Sequence, residues 1–303
     1  MTAAAGDNEP FFCAAAARTR GDSLVGTAPH GVVWVLVEHP GSWPPDGFDG
    51  LDIEPGVKAR VHRAARTARA RILLTRRHGR RTSPEPGRRW AVLRYDGSGA
   101  GRQEWGTWNE DEDLAGIVEA LGAPGESGRP PVLLVCAHGR HDPCCAVRGR
   151  PVARALSERW PDLVWECTHV GGDRFAANVV VVPDGVYYGA LDGTSSVAVL
   201  EEHLAGRIHA EHLRGYTDLF PPQQAAVAAV LGRFGPAGRH DYAVTESARR
   251  GDGWRIRISG RPPRPASLEV DVRAYRTAPA QMTCRGPARS SAVVYDVTSV
   301  RGG

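Results

Sequence analysis

The sequence predicts an α/β protein with an N-terminal α/β half, a central α/β domain and a small β-rich unit at its carboxyl end. Three observations predict it. Residues 1–128 alternate apolar β-branched runs with Arg/Ala-rich, helix-compatible stretches. A second run of strand, loop, helix and strand begins at Val132 and carries most of the cysteines. From about residue 240 the pattern changes to short alternating strands with no helical periodicity between them. The expected units are therefore 1–128, 129–235 and 236–303.

Residues 1–30 read as irregular and end in a Gly-Thr-Ala-Pro turn. Val32–Glu38 is a continuous apolar run of the buried-strand type, stopped by the breaker cluster His39-Pro40-Gly41-Ser42-Trp43-Pro44-Pro45. Val57–Ala70 reads as a helix. Arg71–Thr75 and Trp90–Tyr95 read as strands with an Arg/Pro/Gly loop between them, and Asp111–Leu121 reads as a helix. After the turn at 125–131, Val132–Val135 is a short buried strand running straight into Cys136. A Cys-rich loop, a helix over about Gly149–Trp160 and a strand over Leu163–Cys167 follow. Asn178–Pro183 and Val186–Ala190 flank a Pro-Asp-Gly turn as a strand pair. This β-loop-α-β then β-β order is the one a thioredoxin-like sheet requires. Val197–Arg207 and Pro222–Phe234 read as helices, and segments at 242–245, 254–258, 268–272 and 292–297 read as strands.

Bulk properties narrow the function. The chain has 303 residues, 42% of them hydrophobic and 24% charged, with a net charge of +4. No apolar run reaches the roughly 18 residues that span a bilayer, and the amino terminus lacks the basic and apolar regions of a signal peptide. A cytoplasmic protein without a membrane role is expected. Its basic residues are arginines except for Lys58, a bias that points to coding preference rather than nucleic-acid binding. The Arg-dense stretch 71–81 reads as a solvated face or as a dock for an acidic redox partner. Six cysteines, Cys13, Cys136, Cys144, Cys145, Cys167 and Cys284, suit metal or redox chemistry better than a disulfide scaffold in that compartment.

The chemistry concentrates in two patches. The first is Cys136-Ala-His138-Gly-Arg140-His141-Asp142-Pro-Cys144-Cys145, leaving a buried strand and entering a helix. Eight residues separate Cys136 from Cys145, too many for a CxxC couple but suited to a loop wrapped around an inorganic cluster, for which thiolates are the soft ligands. The second patch is Cys167-Thr-His169-Val-Gly-Gly-Asp173-Arg174. Its paired glycines allow a sharp turn or a close approach. His169 and Asp173 lie four apart and point the same way if the stretch turns helically. Read singly, Cys136 and Cys145 are also compatible with ordinary buried thiols and His169 with a satisfied core histidine. Cys13, Cys167 and Cys284 read as structural.

Together with Val182-Pro-Asp-Gly-Val-Tyr-Tyr-Gly189, and with weaker landmarks at Val25-Gly-Thr-Ala28 and Thr283-Cys-Arg285, these patches resemble the sucrase/ferredoxin-like family, whose fold is a thioredoxin-like ferredoxin. The resemblance implies a [2Fe–2S] cluster held by two cysteines with eight residues between them and two histidines with three between them. Carried onto this chain, those positions are Cys136, Cys145, His169 and residue 173. Here residue 173 is an aspartate, and Cys144 adds a thiol beside the second cysteine. The fourth ligand is thus Cys144 or Asp173, with softness favouring Cys144. The implied function is electron transfer or redox sensing with an unidentified protein partner, a carrier more than a catalyst. A zinc-binding structural module and a metal-free thiol oxidoreductase using Cys144 and Cys145 are the rival readings. No carboxylate pair, GxSxG elbow, P-loop or GxGxxG fingerprint stands out, so glycoside hydrolysis has no support in the residues.

Overall fold

The computed structural model describes residues 10–80, 87–97, 99 and 101–302. The middle of the Arg/Pro/Gly loop, 81–86, and the first nine residues lie outside them. The first half opens on helix α1 (Cys13–Arg20) and continues as β1 (Val33–Glu38), α2 (Pro55–Thr67), β2 (Arg71–Arg76), β3 (Arg88–Arg94), β4 (Arg102–Trp108), α3 (Gly116–Gly122) and the short β5 (Glu126–Ser127). The second half is β6 (Val132–Cys136), α4 (Pro143–Arg159), β7 (Val164–Cys167), β8 (Val179–Val182), β9 (Val186–Tyr188), α5 (Gly193–Leu204), β10 (Leu213–Tyr216) and α6 (Pro221–Phe234). The expected β-rich terminus is a four-stranded antiparallel sheet of β11 (Tyr242–Arg250), β12 (Gly253–Gly260), β13 (Leu268–Arg276) and β14 (Val293–Gly302).

One ten-stranded sheet joins the two halves in the order β10-β9-β8-β6-β7-β2-β1-β3-β4-β5. The order is the same read from either edge. In each half a strand, a crossover helix and a parallel strand (β1-α2-β2, β6-α4-β7) precede an antiparallel pair (β3-β4, β8-β9). The strand–helix alternation of 1–128 is therefore a second thioredoxin-like half. The halves meet where β2 and β7 pair antiparallel through Thr75–Cys167 and Arg76–Glu166. That seam joins the carboxyl ends of both strands, so the carboxyl ends of both parallel pairs converge at the middle of the sheet. Arg76 reinforces it with an ion pair to Glu166 at 2.8 Å, and Arg77 donates to the carbonyls of Pro161, Asp162 and Val164. Arginines 76 and 77, expected on a solvated or partner-docking face, stitch the halves together.

The strands at the centre are apolar but for Glu38 at the end of β1 because both faces are covered: Val33–Glu38, Val132–Cys136 and Val179–Val182 are buried throughout. Three differences from the sequence reading bear on the site. The region 1–30 holds α1, capped at its end by Gly21 in the left-handed conformation. Arg102–Trp108 and Leu213–Tyr216 are strands whose side-chain patterns lack a plain alternation. Most important, α4 begins at Pro143, not near Gly149. Asp142 is its N-cap, accepting the N–H of Cys144 at 2.8 Å, and Pro143 fills the first turn, where a missing N–H costs nothing. Cys144 and Cys145 thus stand in the first helical turn rather than in a loop, about 100° apart around the axis.

Near its second turn α4 packs closely against the end of β6. A Cβ on Gly149 would sit 2.0 Å from the carbonyl oxygen of Cys136. Gly149→Ala is expected to push α4 off β6 and lower stability by about 1–3 kcal/mol, read as a lower denaturation midpoint in urea. Gly122→Ala, at a helix end with open space around it, is expected to be neutral or slightly stabilising.

Candidate metal centre

Strand β6 delivers Cys136 at its carboxyl end, the first turn of α4 delivers Cys145, and the loop after β7 delivers His169 and Asp173. The Cys136 and Cys145 sulfurs and a His169 ring nitrogen lie within 4.8 Å of one another. Asp173 closes the group: the Cys145 thiol donates to its Oδ1 at 3.2 Å, and His169 Nδ1 lies 2.9 Å from the same oxygen. That last contact lacks hydrogen-bond alignment, so the buried Nδ1 has no hydrogen-bond partner. A buried imidazole nitrogen without a hydrogen-bond partner, on a ring grouped with two thiols and a carboxylate, is an arrangement a thiophilic metal satisfies. The four donors match the residues the sequence marks for ligation, apart from Cys144.

Cys144 faces elsewhere. Its sulfur is 3.4 Å from that of Cys284 and accepts the N–H of Ala14 at 3.5 Å. The two neighbouring cysteines belong to different groups, one with Cys136, His169 and Asp173, the other with Cys13, Asp142 and Cys284. They do not form the vicinal couple a thiol oxidoreductase would use. Cys167 pairs in register with Cys136 across the parallel strands and is fully buried in the core.

Electrostatics within the first group are strongly asymmetric. The adjacent Cys145 thiol holds the Cys136 thiol well below its ordinary value against the opposing effect of burial, with His169 and the Val170 N–H adding to it. Cys145, facing the more acidic Cys136 and buried beside Asp173, is pushed far up. Burial disfavours charge on His169, but Asp173 and Cys136 outweigh it and raise the imidazole to about 9. Burial likewise works against the Asp173 carboxylate, and the His169 contact more than offsets it, leaving that group below its usual range.

The turn carrying His169 and Asp173 is not helical. Gly171 and Gly172 take φ of +96° and +81°, and a short 3-10 turn starts at Asp173. What fixes it is Arg214, on β10, which is 1% exposed. Its guanidinium donates to the Gly171 carbonyl at 2.8 Å, Asn178 Oδ1 at 2.9 Å, Thr27 Oγ1 at 3.0 Å and the Thr27 carbonyl at 2.6 Å. Asn178 in turn donates to the Gly172 carbonyl at 2.9 Å. A Cβ on Gly172 would meet Arg214 Nη2 at 2.4 Å, so the second glycine is required by the guanidinium as well as by the turn. The Gly26-Thr27-Ala28 landmark is thereby part of the site's scaffold. Sequence reasoning passed over Arg214; its one signal is a charge inside the strand-like His-Leu-Arg-Gly-Tyr.

The other half covers the site. His138 Nε2 donates to the Pro44 carbonyl at 2.8 Å, and residues 45–49 form one wall of a cleft of about 340 Å³ into which His138, His141 and His169 open. Trp43, His138, His141 and His169 form a column of rings, with His141 stacked on His169 at a centroid distance of 3.9 Å.

Two outcomes test this geometry. Arg214→Met leaves the Gly171 and Thr27 carbonyls without their donor and is expected to cost at least about 3 kcal/mol in denaturant unfolding, with Arg214→Lys recovering only part because it lacks the fork. In the metal-free protein, an NMR titration should give His169 a pKa of about 9. Asp173→Asn should lower that value, because it removes a negative charge favouring the imidazolium while burial still opposes it.

No curated protein and no solved structure matches this chain. A family model does: Suc_Fer-like, the sucrase/ferredoxin-like model, matches residues 24–215. The match covers both thioredoxin-like halves, from the Thr27 tie through the two cysteine and histidine patches to Arg214. The chain belongs to the sucrase/ferredoxin-like family.

Proposed function

We propose that the protein carries a [2Fe–2S] cluster on Cys136, Cys145, His169 and Asp173 and transfers single electrons, or senses redox state, with a partner protein. The carrying observation is the convergence of two thiols, a buried orphaned imidazole nitrogen and a carboxylate at the ends of three rigid elements. Bound there, the cluster would supply the one-electron chemistry. The chain's own contribution is ligation, burial and charge. Cys136, Cys145 and Asp173 are buried, whereas His169 is part exposed and reaches the cleft. The imidazole side is thus the side a partner approaches, and the His141 ring stacked on His169 extends it to the surface.

Asp173 is favoured over Cys144 as the fourth donor by position: it touches both Cys145 and His169, whereas Cys144 belongs to the other group. The same donor set also suits a single zinc ion, and composition separates the two readings. Protein purified without oxygen should be red-brown and hold about two irons and two sulfides per chain. Cys136→Ser and Cys145→Ser should each lose most of the iron and the visible spectrum, since serine is a poor substitute for a soft thiolate. Asp173→Ala should alter the paramagnetic resonance of the reduced state, while Cys144→Ala should leave it unchanged. Colourless protein holding zinc in place of iron at these residues would rule the cluster out.

A further inference from the structure

Three cysteines that the sequence scatters from residue 13 to residue 284 meet at the amino end of α4. Cys13 opens α1, Cys144 stands in the first turn of α4, and Cys284 lies in the segment between β13 and β14. The Cys144 and Cys284 sulfurs are 3.4 Å apart. The Cys13 sulfur is 3.7 and 3.8 Å from the two oxygens of Asp142. One donor atom from each of the four residues fits within 4.8 Å. Cys13, Cys144 and Asp142 are essentially inaccessible.

Several features distinguish this group from incidental core thiols. Main-chain N–H groups point at two of the sulfurs: Cys13 N–H at Cys284 at 3.3 Å and Ala14 N–H at Cys144 at 3.5 Å. Such donors favour the thiolate form. Asp142 uses its oxygens to accept the N–H groups of Cys144 and Cys284, each at 2.8 Å, and this holds the carboxylate among the sulfurs. Thiolates and a carboxylate crowded together repel one another unless protons or a cation lie between them, and the Cys13 thiol donating to Asp142 marks where a cation would replace a proton. The spacing is also that of a coordination polyhedron: ligands at about 2.3 Å around a tetrahedral ion lie about 3.8 Å apart along each edge. A disulfide needs about 2.05 Å, so the sulfurs are in contact but unbonded.

We propose that Cys13, Cys144, Cys284 and Asp142 form a second metal site, distinct from the Cys136/Cys145/His169/Asp173 centre, that holds one zinc-type divalent ion in a closed structural coordination. Three soft thiolates with one oxygen, all but Cys284 fully buried, suit zinc and a structural role. Two of the three thiols, Cys13 and Cys284, lie outside residues 24–215. The site ties α1 and the carboxyl-terminal segment to the same helix that presents Cys145. The proposal does not depend on what occupies the first centre.

The test is metal analysis of the full-length protein. Iron, sulfide and zinc are measured together on wild type and on Cys13→Ser, Cys284→Ser and Cys136→Ser. About one zinc per chain is expected, falling about tenfold in Cys13→Ser and Cys284→Ser with iron unchanged, and retained in Cys136→Ser as iron is lost. X-ray absorption at the zinc edge of the wild-type protein needs no variant and should show three sulfurs and one lighter atom; two sulfurs would place the zinc at the first centre and overturn the proposal. So would wild-type protein lacking zinc and giving no thiolate charge-transfer bands with added cobalt(II). A Cys144–Cys284 disulfide found by mass spectrometry without reductant would overturn it as well.

Discussion

The carboxylate of Asp142 sets the geometry on which both thiol groups depend. By accepting the N–H of Cys144 it fixes where α4 starts, and the start of a helix fixes the direction of every side chain in its first turn. Moved by one residue, the helix would rotate both cysteines by about 100°, and neither would face its present partners. The same carboxylate accepts the N–H of Cys284, so the cap of an internal helix also anchors a segment 142 residues further along the chain. One short side chain thus separates two adjacent thiols into two environments and ties the carboxyl-terminal unit to the helix.

The second constraint is a cation with no carboxylate partner in its hydrogen-bonding shell. Arg214 is buried, and burial lowers its pKa to about 10. Its donors go to main-chain and amide oxygens from the amino-terminal Thr27 and the Gly171–Asn178 stretch. A fork of fixed geometry reaches several acceptors at once, which an ammonium cannot. The turn bearing His169 and Asp173 is therefore shaped from behind by a strand more than forty residues later in the chain, and its two glycines are the room that shape requires.

Much of this was legible in the sequence. The continuous apolar strands and the class of fold follow from runs that short-range chemistry controls, and the family resemblance marks the positions of Cys136, Cys145, His169 and Asp173, which the fold brings together. The start of α4 was also readable, since aspartate before proline is a helix entry; the density of cysteines drew attention to a loop instead. Cys13 and Cys284 could not be paired with Cys144 from spacing, because nothing local links residues 271 apart. Arg214 escaped for a similar reason: its partners, two main-chain carbonyls and the side chains of Thr27 and Asn178, lie 36 to 187 residues away in the chain. Softness leans to Cys144, while the side chain that lies beside Cys145 and His169 is Asp173; a rotation of about 100° between neighbouring helical residues is invisible without knowing where the helix begins.

The mirrored strand order of the large sheet has a consequence for how such a centre can be adjusted. Because the two halves meet at the carboxyl ends of β2 and β7, the loop that follows β1 comes to lie against the loop that follows β6, as the His138–Pro44 hydrogen bond records. The first half has no cysteine between Cys13 and Cys136, so of two equivalent positions one holds donors and the other is their insulation. Polarity, water access and local dielectric around His169 are then governed by residues 45–49, which belong to a different structural repeat from every donor. Substitutions in that wall can change the environment of His169 while Cys136, Cys145 and Asp173 stay fixed, a division of labour that a single unduplicated half could not provide.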